Sequence, residues 1–401
     1  MPDTPPTNVP LWNETTHEAK AHPTGGASIE PNAAAPHGQA FRLAPLDARV
    51  DADVCVIGLG GSGLACVHEL LSIGKRVVGI DAATVAAGAA GRNGGFLLGG
   101  LAMFHHDAVD RLGRVAATAI YEETLKQVAR MAEETPAVVR RAGSLRIAVD
   151  DEELEDCERQ FGAMQASGLP VERYRGAEGR GLLFPADAAF DPVGRCRMLA
   201  AAALTRGACL YERSRAVEIG AGVVATASGE IVAEHVVVAV DGGLERVLPE
   251  LRGRVRSARL QMLGTAPAPA SEVRWPRPVY ARWGFDYWQQ LRDGRVVLGG
   301  CRDVGGDAEW TTDSSPTDAE QSALTSLLRS RLGIHAEVTH RWAATVGYTQ
   351  SGMPILEQVR PHVWAIGGYS GTGNVVGALC GRAVAELITR RASRLADLLR
   401  A

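Results

Sequence analysis

Lysine is nearly missing from this chain: Lys20, Lys75 and Lys126 are the only three among 401 residues. Chemistry that needs an amine side chain beyond position 126 is thereby excluded. The seven cysteines (55, 66, 157, 196, 209, 301 and 380) form no CxxC pair and no Cys/His cluster. Neither a zinc site nor a disulfide scaffold is expected, only scattered reduced thiols, and no metal ligands are assigned. A strong charge of one sign is also lacking: the net charge is −4, which points to neither nucleic acid nor an anionic membrane as partner. No apolar run reaches the roughly 20 residues of a membrane span, and no charged-then-apolar leader opens the chain. A soluble cytoplasmic protein is the expectation. With 46% hydrophobic and 22% charged residues, the composition is that of a globular protein long enough for two domains or one composite one.

Residues 1–47, rich in Pro, Thr, Ala and Asn, show neither a 2.0 nor a 3.6 period and read as a flexible N-terminal arm. Trp12 could still anchor that arm on its own domain or on a neighbouring subunit. Beyond it, "DADVCVIG" (51–58) is a short buried strand, "GSGLACVHELLSIG" (61–74) an amphipathic helix and "KRVVGID" (75–81) a second buried strand. Helices are expected at 107–136, 150–168, 194–207 and 316–332. Strands dominate 215–240 and 256–303. "VYARWGFDYWQQL" is expected as one strand, with Trp283, Phe285 and Tyr287 on one face and Asp286 and Trp288 on the other.

The first strand runs directly into Gly58, Gly60 and Gly63 in the spacing G-x-G-x-x-G, and a helix follows. The three glycines serve three different ends: a tight turn, close approach of backbone to a pyrophosphate, and close packing of helix on strand. Gly61 and Ser62 lie at the helix N-terminus, whose free N–H groups suit phosphate. Asp81, with Ala82 beside it, ends the second strand 18 residues after Gly63, where a carboxylate can take ribose hydroxyls. Strand, turn, helix, strand and acidic tip in this order point to a dinucleotide.

Then comes "AAGAAGRNGGF" (86–96), too poor in side chains to build a core and too apolar for a solvated loop. Later follow "VVVAVDGG" (236–243), "VGYTQSGMP" (346–354) and "GGYSGTGN" (367–374). In this order these segments resemble the D-amino-acid-oxidase-like family of FAD-dependent oxidoreductases, most of all its γ-glutamylputrescine oxidase branch. The resemblance runs from about residue 48 to the C-terminus and is looser in the middle.

It implies an α/β fold: a Rossmann-like FAD-binding domain of the glutathione-reductase type (48–100, 190–255 and 335–401) and an α+β substrate domain with a mixed or antiparallel sheet (101–189 and 256–334). It also implies that Asn93, Gly94 and Gly95 lie along the flavin, with Arg92 either tying the loop down or facing phosphate. Gly368, Ser370, Gly371, Thr372 and Gly373 would lie under the flavin pyrimidine, where a helix N-terminus receives the negative charge of the reduced ring. Gly242 and the backbone at Val217 would approach the pyrophosphate and adenine.

On the substrate side the resemblance implies a sheet over the reactive face, with Tyr287 and Tyr369 as catalytic candidates and Trp283 and Asp286 in the pocket. Core packing is the commoner explanation for any single aromatic. Several departures matter. Val346 stands where glycine-oxidase relatives carry a carboxylate-gripping arginine; Arg282 or Arg341 could substitute. No cysteine stands between 302 and 379, so FAD is expected to be non-covalent. Thr372 replaces the histidine of a Gly-His-Gly, and no lysine is available to assist oxygen, which leaves O2 and other electron acceptors both open.

The expected activity is oxidation of an amine by hydride transfer from the carbon next to nitrogen to flavin N5, with hydrolysis of the imine. A small-molecule amine and an electron acceptor would be the partners, and a homo-oligomer is possible. Two rivals stand beside it: a nicotinamide-dependent Rossmann dehydrogenase, and a flavin-holding sensor or assembly protein with little turnover.

Overall fold

The computed structural model describes residues 8–14, 41–269, 275–390 and 392–400; the rest of the expected arm lies outside them. Five parallel strands form the body of the first, eight-stranded sheet, in the order Cys209–Tyr211, Val77–Ile80, Arg49–Ile57, Glu230–Val238 and Val363–Gly367, and three further strands pair antiparallel at its margin. Both of its faces are buried, as period-2 alternation shows: Val54 and Val56 enter one core, Cys55 and Ile57 the other. The helices Gly61–Ser72 and Val376–Arg390 cover the first of these faces. Their approach is close enough that a Cβ on Gly381 would overlap the Ser62 carbonyl.

The second layer is an eight-stranded, largely antiparallel sheet. Its order is Val338–Thr349, Val255–Thr265, Val296–Gly300, Asp286–Gln290, Val279–Ala281, Ser144–Ala148, Gly179–Phe184 and Glu172–Gly176. Phe96–Leu97, Ala188–Phe190 and Val139–Arg140 form a separate three-stranded sheet.

Four local expectations need correction. The strand Val338–Thr349 pairs along its length with Val255–Thr265, so residues 338–349 belong to the second sheet and not to the dinucleotide domain. The long helix expected at 107–136 is two helices, His105–Leu112 and Arg114–Glu134, because Gly113 at φ 77° turns the chain between them. The single strand expected at 279–291 is a hairpin. Arg282 and Trp283 take φ of 51° and 53°, and this left-handed turn separates Val279–Ala281 from Asp286–Gln290. Part of the expected arm, residues 8–14, is packed: Leu11 and Trp12 are buried among Val193, Met262, Val297 and Trp342.

No helix among the described residues is long and apolar enough to cross a membrane.

Candidate active site

The parallel strands end their C-terminal edge at one long cavity of about 950 Å³ that continues beneath the second sheet. Open α/β sheets place ligands at this edge. The strand Arg49–Ile57 reaches Gly58, whose φ of 104° only glycine adopts without strain. The helix Gly61–Ser72 then starts with no side-chain cap and no acidic residue in its first turn. Its first amides are therefore left for a ligand. A Cβ on Gly61 would meet no atom within 4 Å, so the turn borders open space, whereas one on Gly63 would overlap the Gly58 carbonyl. Helix packing explains the third glycine; ligand space explains the turn.

Asp81 stands at the tip of the second strand. It accepts from Leu59 N at 2.9 Å and Ala83 N at 2.8 Å, and burial raises its pKa above the ordinary carboxylate value. Asp241 does comparable work at the end of Glu230–Val238. It accepts from Tyr369 N and Gly347 N, each at 3.2 Å. Burial raises its pKa to about 6. Gly242 must lack a side chain because the Thr345 carbonyl occupies the place of its Cβ.

The bare segment 92–95 runs along the middle of the cavity and lines it with residues 92–94. Three successive carbonyls are held by three distant donors: Arg92 O by Trp342 Nε1 at 2.9 Å, Asn93 O by Trp12 Nε1 at 2.9 Å and Gly94 O by Gln289 Nε2 at 2.5 Å. Asn93 folds back on its own turn, giving its amide to Ala89 O and Ala90 O and accepting from Gly95 N. Arg92 resolves to an anchor. It donates to Ala87 O, Ala343 O and both oxygens of Asn8 at 2.8–3.0 Å. The C-terminal segment 369–374 meets this wall through Asn374, which donates to Asn93 Oδ1 and to Phe96 O.

Over the wall lies one row of the second sheet. Gly299, Tyr287, Tyr280 and Arg146 stand opposite one another on four neighbouring strands and hence on one face. A Cβ on Gly299 would overlap the Tyr287 ring, so this glycine makes room for the tyrosine. Phe96 closes the group, edge-on to Tyr280 and Tyr287 with centroids at 5.1 and 6.1 Å. Burial pushes both tyrosine hydroxyls far up, so they stay protonated.

Several arginines line the cavity, among them Arg146 and Arg302. Arg146 lies 4.4 Å over the Phe104 ring, with its Nε buried and unbonded. Arg302 lies 5.0 Å from the Trp310 ring and 5.3 Å from the Tyr348 ring.

Of the residues expected from sequence, Gly58, Gly60, Gly61, Ser62, Asp81, Ala82, Arg92, Asn93, Gly94, Gly242, Ser370, Gly371, Thr372, Gly373, Trp283, Tyr287 and Tyr369 line the cavity. Gly63, Gly95 and Gly368 stand behind the wall, packed on Gly58, Phe190 and Thr349. Val217 does not reach it. It is 63% exposed, and the turn touches the cavity at Arg215 and Ala216 instead.

Asp286 is not a pocket charge. The hairpin turns it away from the cavity, 2.9 Å from Arg282 and 3.7 Å from Arg331. Trp283 sits on the left-handed turn at the mouth, its indole donating to Asp156 Oδ2 at 2.6 Å. Tyr369 belongs to the core of the parallel sheet, against Gly373 and Gly377. It is separate from the Phe96–Tyr280–Tyr287 group, so its place gives no support to a catalytic role. Arg282 is committed to Asp303 and Asp286, and Arg341 to Gln321 and Thr325; neither replaces the arginine missing at Val346. Sequence reading missed Gln289, Trp342, Asn374 and Asp241, whose roles depend on contacts far along the chain. It also missed Arg146 and Arg302. No His/Cys/Asp/Glu cluster among the described residues could hold a metal.

Comparison with known proteins agrees with this geometry. The chain is 27% identical over 398 residues to the γ-glutamylputrescine oxidoreductase of Escherichia coli strain K12, covering 88% of each chain. It is 28% identical over 373 residues to the probable oxidoreductase OrdL of Rhizobium meliloti strain 1021, covering 87% of this chain and 85% of that one. Glycine oxidase from Geobacillus kaustophilus shares the fold, with a TM-score of 0.68 at 21% identity over 86% of this chain and 96% of that one. The uncapped helix N-terminus and the acid at the second strand tip fit a dinucleotide, and the match to an FAD-dependent family sets aside the nicotinamide alternative. The family model described as FAD dependent oxidoreductase matches residues 53–387, and the chain belongs to that family.

Proposed function

We propose that this oxidoreductase removes two electrons from a C–N bond of an amine that carries a carboxylate or similar anionic group. The observation that carries the reading is the row Arg146–Tyr280–Tyr287, which roofs the bare segment 92–95 with aromatic surface and one unpaired cation. Bound FAD would supply the two-electron acceptor for hydride from the carbon next to nitrogen, and the resulting imine would hydrolyse in water. The γ-glutamylputrescine oxidoreductase relative acts, by its name, on a molecule with both an amine and a carboxylate, which agrees with this charge pattern.

The chain's own residues bind, orient and exclude water. Tyr280, Tyr287 and Phe96 form a dry wall, and the protonated tyrosine hydroxyls donate hydrogen bonds without accepting the amine's proton. Arg146 and Arg302 hold the anionic end, so the amine end is left at the bare wall. Segments 92–95 and 369–374 would hold the flavin ring, and the helix Val376–Arg390 would offer its N-terminus to the negative charge of the reduced cofactor. The cofactor is held without a covalent link, so denaturation releases free FAD.

Anaerobic mixing with neutral, cationic and carboxylate-bearing amines tests the reading. Carboxylate-bearing amines should bleach the flavin at the lowest concentrations. If no amine bleaches it, the protein is a flavin-holding protein and the reading fails.

A further inference from the structure

We infer that residues 8–14 are a built-in clamp on the cofactor-facing segment 92–95, and that Trp12 is a positioning residue for the flavin. None of these seven residues lines the cavity, so they act through the wall. Leu11 and Trp12 are 0% and 1% exposed, wedged between that wall and the second sheet. Gly264 has no side chain where Leu11 sits: a Cβ there would come within 2.6 Å of Leu11 Cδ1.

An apolar plug would need only shape. This segment instead makes specific polar bonds to the wall. Trp12 Nε1 donates to Asn93 O at 2.9 Å. Asn8 Oδ1 accepts from Arg92 Nη1 at 2.9 Å and from Ala343 N at 3.2 Å, while Asn8 O accepts from Arg92 Nη2 at 3.0 Å. Both ends are also fastened elsewhere. Glu14 lies 3.3 Å from Arg295 Nη1 and 3.1 Å from His340 Nε2, and Asn8 Nδ2 donates to Ser314 O. The clamp therefore ties residues 92 and 93 to three strands of the roof, Val255–Thr265, Val296–Gly300 and Val338–Thr349, through Met262, Val297 and Trp342.

The physical consequence concerns the carbonyl of Asn93. With Trp12 in place it is bonded from behind, and the peptide keeps one orientation. Without that donor the part-buried carbonyl loses its partner, and the 93–94 peptide can rotate to find another. Such a rotation would alter the surface offered to the flavin while leaving the core packed.

The test is Trp12→Phe, which keeps an aromatic ring and removes the N–H. Apoprotein is titrated with FAD, following quenching of flavin fluorescence, and melted without cofactor. Loss of this part-buried bond predicts a dissociation constant for FAD raised about 5- to 30-fold, together with a displaced visible band of the bound flavin. An unchanged constant and band, with apoprotein and holoprotein both melting lower by the same amount, would show a merely structural plug and overturn the clamp. If Trp12→Phe does not fold, Asn8→Ala decides by the same readouts.

The inference rests on segment 92–95 lying against the flavin, which hydrogen exchange of the wild-type protein tests separately. No slowing of exchange at 92–97 on adding FAD would sink that placement itself. Slowing there, with an unchanged constant in both variants, would sink the clamp alone.

Discussion

Asn374 donates its side-chain amide to Asn93 Oδ1 at 3.1 Å, joining two segments 281 residues apart in sequence. Both segments are glycine-rich, and glycine chains lose more entropy on ordering than any other. A cross-link between them keeps the distance across the flavin site fixed. Asn374→Ala should therefore weaken FAD binding. Two bonds are lost, to Asn93 and Phe96, and a loss of roughly 1–3 kcal/mol is expected. Flavin-to-protein ratio after gel filtration reads the effect; full retention would show that other contacts set the spacing.

Gly60→Val addresses the phosphate turn. The Cβ of residue 60 would stand 3.0 Å from Ala90 Cβ, so one branch of valine presses on the wall and the other occupies ligand space. The variant should purify colourless with near-native circular dichroism. Stoichiometric flavin in it would contradict the assignment of this turn to pyrophosphate.

Arg302→Met and Arg146→Met separate charge from bulk. Charge-assisted bonds are worth about 1.5–3 kcal/mol, so KM for a carboxylate-bearing amine should rise roughly 10- to 100-fold in each variant. The visible spectrum of the flavin and the KM for a neutral amine should stay near wild type. Equal loss for neutral and anionic amines would mean that the arginines only support the fold.

Asp187 gives a prediction in pH. It accepts from Ser144 Oγ at 2.6 Å and Gly99 N at 2.8 Å, and burial raises its pKa from 3.8 to about 7. The folded chain then holds more protons than the unfolded chain between these values. Stability from this group is therefore complete at low pH and declines as pH rises through the window, levelling above about 7. Asp187→Asn lacks this dependence. Melting temperatures of the two holoproteins should diverge in favour of the variant from pH 5 to pH 8; a constant difference would refute it.

The dinucleotide half was legible in sequence because its signals are local. A β-branched strand, a glycine turn, an amphipathic helix and an acid follow one another within residues 51–81. The hairpin at 279–290 was not legible. Its turn puts Arg282 and Trp283 in left-handed backbone, and neither residue type announces that conformation. Residues 8–14 contain a single short helical turn, too brief for any period, so their burial follows only from tertiary contacts. Gln289, Trp342 and Asn374 are of the same kind: each acts on a backbone carbonyl or side chain that only the folded chain brings near. Gly113 is different, since the signal was present and the helical pattern on both sides overrode it.

The three donors that hold the carbonyls of residues 92–94 come from positions 342, 12 and 289. No fragment short of nearly the whole chain contains them all. Contacts this distant in sequence form late and cooperatively, so a nascent or clipped chain has no finished seat for the coenzyme. Colour in a preparation would then report chains in which Trp12, Gln289 and Trp342 have reached segment 92–94.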